Sequence, residues 1–146
     1  MTKIAFHSRP FEVQIELLFV FDDADVHQIA RELVSVPKIV RSKGELHKEK
    51  NLPPFGKISF YSHANRWDSP FDEHEQSIFD IDSNDIDYLL SLSKSASVII
   101  ILNHCGDLPY VKLSKRLTGL AGKLGGGFEF FHYNDLNPEI EGEDKG

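Results

Sequence analysis

The sequence predicts an α+β fold, a single-domain sandwich of one sheet with helices packed on it, and three observations carry that prediction. Val98 to Leu102 is an unbroken apolar run rich in β-branched residues, the signature of a strand buried on both faces. Phe11 to Phe21 alternates, with Phe11, Val13, Ile15 and Leu17 on one side and Glu12, Gln14 and Glu16 on the other, as a half-buried antiparallel strand does. Two stretches instead place apolar residues at helical spacing: Val26, Ile29, Ala30, Leu33, Val34, and Leu113, Leu117, Leu120, Leu124.

The elements follow in order. Lys3 to His7 is too short a pattern to assign. After the Phe11–Phe21 strand, Asp22, Asp23 and Asp25 supply caps for a helix over Val26 to Val34 that ends before Pro37. Residues 37–56 read as a loop punctuated by proline and glycine, locally basic through Lys38, Arg41, Lys43, Lys48 and Lys50 against Glu45 and Glu49. Lys57 to His63 alternates as a strand. Ala64 to Glu75 reads as a polar turn holding the single tryptophan, and Ser77 to Ile81 as a short strand. Ser83 is the expected cap of a helix whose apolar face is Ile86, Leu89 and Leu90, with Asp85 and Asp87 in its first turn. After the 98–102 strand, Asp107 is an N-cap candidate and Pro109 suits a first helical turn; Gly125-Gly126-Gly127 stops that helix, and Phe128 to Tyr133 resumes as a strand.

The expected order is therefore β-α-β-β-α-β-α-β, whose first six elements have the ferredoxin-like order, extended by a helix and a strand. Residues 1–136 are expected to form the single domain and residues 137–146 an acidic flexible tail. A chain of 146 residues can bury roughly 70% of its unfolded surface without staples.

Composition narrows the partners. The formal charge of -7 and pI near 5.4 argue against general binding to nucleic acid or anionic lipid. One cysteine rules out an internal disulfide framework. No apolar run approaches the roughly 20 residues that span a bilayer, and no basic segment followed by an apolar core leads the chain, so a cytoplasmic protein is expected. No G-x-S-x-G elbow, phosphate-binding loop or dinucleotide fingerprint is present, and the three glycines follow a helix where a phosphate cradle would precede one.

The charge map is the most informative surface feature. Asp68, Asp72, Glu73, Glu75, Asp80, Asp82, Asp85 and Asp87 fall within twenty residues that hold no Lys or Arg. With Asp22, Asp23 and Asp25 they are expected to form a negative face that steers a basic partner, set against the plainer expectation of ordinary solvated surface. Trp67, beside His63, Asn65, Arg66 and Asp68, is an interface-anchor candidate, since Trp and Arg are enriched among binding hot spots; the plainer alternative is that it covers the end of the sheet. His104 and Cys105 follow the buried strand and offer metal ligands, with His63 as a third candidate. Strand alternation sends adjacent side chains to opposite faces, which separates His104 from Cys105. The remaining histidines show no metal-binding spacing.

Within Asp23 to Glu45, an Asp-capped helix, Pro37 and then Lys43-Gly44-Glu45, with Trp67 further on, resemble the bacterial domain-of-unknown-function family numbered forty-two seventy-nine. The resemblance implies an α+β fold in a bacterial protein and no catalytic residues or cofactor.

Taken together, the residues point to a non-enzymatic domain that binds a basic protein, specifically an immunity protein neutralising a nuclease-like toxin by covering its active site. The binding residues would be Trp67, Asp68, Asp72, Glu73, Glu75, Asp80, Asp82 and Asp85. The alternative is a metal- or small-ligand-dependent enzyme with its site near His104, Cys105 and His63.

Overall fold

A computed structural model describes residues 11–44, 55–63, 70–104 and 111–133. Within them the elements are β1 (Phe11–Phe21), α1 (Val26–Arg31), β2 (Ile39–Arg41), β3 (Gly56–Tyr61), α2 (Phe71–Phe79), α3 (Ser83–Leu92), β4 (Ser95–His104), α4 (Lys115–Leu124) and β5 (Phe128–Tyr133). The strands form one mixed sheet in the order β2-β3-β1-β4-β5. β1 runs antiparallel to both β3 and β4, β2 antiparallel to β3, and β5 parallel to β4. The parallel pair is the one that needs a crossover, and α4 supplies it.

The period-two pattern of β1 decides which side of the sheet is the core. Val13, Ile15, Leu17, Phe19 and Phe21 are all buried, and they share one apolar cluster with Ile58, Phe60, Val98, Ile100 and Leu102. Buried residues of every helix join it: Val26 and Ile29 of α1, Ile78 of α2, Ile86 and Leu89 of α3, Leu117, Ala121 and Leu124 of α4. The result is a compact α+β domain in which a fully buried Leu or Phe contributes about 2 kcal/mol. Phe19 meets Phe60 edge to face, ring centres 6.4 Å apart.

Five expectations are corrected. Ser77 to Ile81 is not a strand: Phe71–Phe79, split in the sequence between a turn and that strand, is helix α2. A strand does form inside the expected 37–56 loop, where Ile39–Arg41 pairs with Lys57–Ser59. α1 stops at Arg31, short of the expected Val34, and Asp85 takes the amides of Val34 and Ser35 that a longer helix would use. Finally, α4 begins at Lys115 with Ser114 as its cap, the Ser114 hydroxyl accepting from Leu117 N at 3.0 Å. Leu113 thus precedes the helix, and the expected cap Asp107 lies outside the described residues. In α3 the cap is Asp82, which accepts from Asn84 N at 2.8 Å, with Ser83 as the first helical residue.

Among the described residues no helix is long and apolar enough to cross a membrane. The 137–146 tail and Lys3 to His7 lie outside the described residues.

Candidate functional site

The strand registers bring the polar chemistry of the chain to one end of the sheet. Phe11 lies opposite His104, Glu16 opposite Tyr61 and Asn103 opposite Tyr133, so β1 begins where β3, β4 and β5 end. Ser62, His63, His104 and His132 therefore share that rim, and α2 brings His74 to it.

Ser62 continues the sheet hydrogen bonding past the end of β3: its amide donates to Ile15 O at 2.7 Å, and its hydroxyl accepts from Ile15 N at 2.8 Å. The same hydroxyl lies 2.9 Å from His74 Nδ1. Which of the two donates depends on the His74 tautomer, since the hydroxyl has a second lone pair beside the one that meets Ile15 N. One helical turn on, Ser77 Oγ accepts from His63 N at 2.9 Å and contacts His63 Nδ1 at 3.3 Å. Two consecutive residues after β3 thus clamp two residues spaced i, i+3 on α2.

A serine beside a histidine raises the question of nucleophilic catalysis. Ser62 is 1% exposed and its hydroxyl already serves a backbone amide. His74 Nε2 is buried with no partner among the described residues, so no third group orients the ring as a triad requires. The pair works as a fastener between α2 and the sheet.

That fastener makes stability pH-dependent. Burial lowers the His74 pKa below its ordinary 6.5, with His63 adding to the effect and Glu73 opposing it. The unfolded chain takes up the proton first, so the contribution is complete above about 6.5 and is lost as pH falls from there toward the folded value. His74→Gln is expected to flatten this part of the Tm–pH profile between pH 7 and 5; parallel profiles for the two proteins would overturn the assignment.

Beside the clamp lies a cavity of about 540 Å³, bounded by residues 35–38, the ends of β1 and β3, and α2, with Gln14, Ser62, His63, Ser77 and Asp80 among its polar lining. Its outer wall is held rigidly. The buried Asp85 carboxylate accepts from Val34 N at 3.1 Å and Ser35 N at 2.6 Å. The Ser35 hydroxyl accepts from Asp82 N at 3.0 Å, and Lys38 N donates to Ser59 O at 2.8 Å. Val34 and Val36 are consequently held outward, 76% and 89% exposed.

The acidic stretch does not form one face. Asp85 and Glu75 are buried; Glu75 accepts from Ser114 N at 3.1 Å and so ties α2 to the start of α4. Asp82 caps α3, and Asp87 pairs with Lys123 at 2.7 Å. Asp72, Glu73 and Asp80, all on or next to α2, are the exposed carboxylates that remain for a partner. Asp80 also accepts from Gln76 Nε2 at 3.0 Å and lines the cavity. Trp67, Asp68 and Cys105 lie outside the described residues.

On the opposite face of the sheet, Glu16 is buried and accepts from the Ser59 hydroxyl at 2.6 Å. The phenol of Tyr61 is pushed above its ordinary pKa by burial and by Glu16, against the pull of Arg41. His104, by contrast, is on the core face with Leu102 and Val13; 4% exposed, it has no partner on either ring nitrogen among the described residues. Its ring centre is 5.7 Å from that of His132, a neighbour the sequence spacing does not reveal. His63, the other metal candidate, turns to Ser77 instead. Among the described residues no group of three or more His, Cys, Asp or Glu is placed to hold a metal ion. Comparison with family models, curated proteins and solved structures finds no match to this chain.

Proposed function

We propose that this chain is a protein-binding domain and not an enzyme, acting as an immunity protein that covers the active site of a basic, nuclease-like toxin. The observation that supports it is the rigid presentation of Val34 and Val36 beside the cavity, with the carboxylate of Asp80 in its lining. Apolar side chains presented from a pinned backbone suit a partner, because preorganisation lowers the entropy cost of binding one. The exposed Asp72, Glu73 and Asp80 give the rim a charge that attracts a basic surface and speeds encounter. The order β2-β3-β1-β4, with every neighbour antiparallel, also supports reading the first four strands as a ferredoxin-like unit to which α4 and β5 are added. The likeness of residues 23–45 to bacterial domains of unknown function fits such a protein and assigns no residue a role.

The test is co-expression with the product of the adjacent gene. A 1:1 complex is expected, weakened by salt and weakened at least roughly 30-fold by Val34→Asp combined with Val36→Asp, the size of a hot-spot loss. A partner that is not basic, or a complex indifferent to both salt and the double substitution, would refute the proposal. The alternative enzyme reading near His104 and Cys105 has one observation in its favour, a buried His104 ring with no partner among the described residues.

A further inference from the structure

We infer that His104 and His132 form a two-histidine site for a divalent transition-metal ion of the class that prefers imidazole: zinc, copper or nickel. The inference is independent of the protein-binding proposal.

The backbone dictates the pairing. His104 is two residues beyond Leu102 on β4 and so shares its face of the sheet, while His132 on β5 lies directly opposite Leu102 in the parallel register. The two imidazoles are diagonal neighbours on that face, ring centres 5.7 Å apart and planes inclined by 32°. A metal sits about 2 Å from an imidazole nitrogen, and two rings on one tetrahedral ion have centres roughly 5 Å apart. The observed spacing is thus within a small side-chain adjustment of shared coordination.

Burial supplies the second observation. His104 is 4% exposed, and neither of its ring nitrogens has a partner among the described residues. A buried polar group left unsatisfied is costly, so an imidazole without a partner among the described residues at this place needs an account. The ring shares its face with Leu102 and with Val13, which lies opposite Leu102 in β1. His132 is exposed, which opens the remaining coordination positions to water. Two imidazoles with open positions suit the metals at the upper end of the divalent affinity order, and not calcium or magnesium, which seek oxygen.

Calorimetric titration of the full chain with zinc and with nickel tests this. One ion per chain is expected, with binding weakened at least tenfold by His132→Ala and by His104→Gln, and unchanged by His27→Ala on α1. Because His132 is exposed, its substitution leaves the fold intact, which circular dichroism would verify. Zinc is also expected to raise the Tm of the wild type, since binding to the folded state alone stabilises it, and to leave that of His132→Ala unmoved. Absence of saturable binding, more than one equivalent weak site, or undiminished binding by His132→Ala would overturn the site.

Discussion

Replacing Gly126 by alanine is expected to destabilise the fold by about 3 kcal/mol, more than the same change at either neighbouring glycine. The added methyl would overlap the carbonyl oxygen of Ala96 and stand 2.9 Å from the Ala96 carbonyl carbon and from Ser97 Cβ. The obstacle is backbone, in a strand pinned by β1 on its other side, so it cannot swing away. Gly125 and Gly127 have the opposite profile: φ values of 82° and 70°, with open space where a side chain would go. Alanine there meets only the left-handed backbone penalty, about 1 kcal/mol. Urea denaturation of the three single variants checks the ranking. If Gly127→Ala costs more than Gly126→Ala, close approach of the backbones is not what the central glycine provides.

Asp85→Ala is expected to cost a similar amount, about 3 kcal/mol, because two amides then lose a charged acceptor in a part-buried place. The loss has a local signature. Hydrogen exchange at Val34 and Ser35 should accelerate far more than exchange at Ile15 or Ile100, since the substitution frees the segment beside the cavity before it unfolds the sheet. Asp85→Asn retains one acceptor oxygen and should fall in between. Uniform acceleration through the whole chain would mean that Asp85 serves α3, whose first turn it occupies, and not the neighbouring segment.

How much of this was legible in the sequence depends on which residues face the core. β1, β4 and β5 carry apolar signals strong enough to read directly. α2 does not, for a physical reason: of its three buried residues, two are His74 and Glu75, and only Ile78 is apolar. Its start at Pro70 has no side-chain cap either, so neither the stripe nor the stop-and-start signals of a helix are present. β2 is hidden because three half-buried residues beside basic side chains look like the loop around them. The two misreadings offset each other, a strand lost at 77–81 and one gained at 39–41, so the alternation of strands and helices came out nearly as expected from partly wrong elements.

The acidic stretch shows a different limit. A count of charges cannot tell a carboxylate that meets solvent from one that holds backbone amides, and Asp85 and Glu75 belong to the second kind. Nor does any spacing in the sequence disclose that Ser62 meets His74, Asp85 reaches across 50 residues to Ser35, or His104 lies beside His132. Those neighbours are set by register, which follows from the pairing of whole strands.

β5 has one further consequence. It pairs only with β4, at the outside of the sheet, and its side chains are open to solvent from Glu129 to Tyr133. Behind it lies Val98 to Leu102, an uncharged and strongly β-forming run with no proline, the composition of a cross-β template. While β5 is in place that strand has neighbours on both sides; once β5 lifts, the backbone of β4 becomes an edge able to recruit another chain. The outermost strand therefore also shields β4, whose backbone would otherwise stand as an open edge.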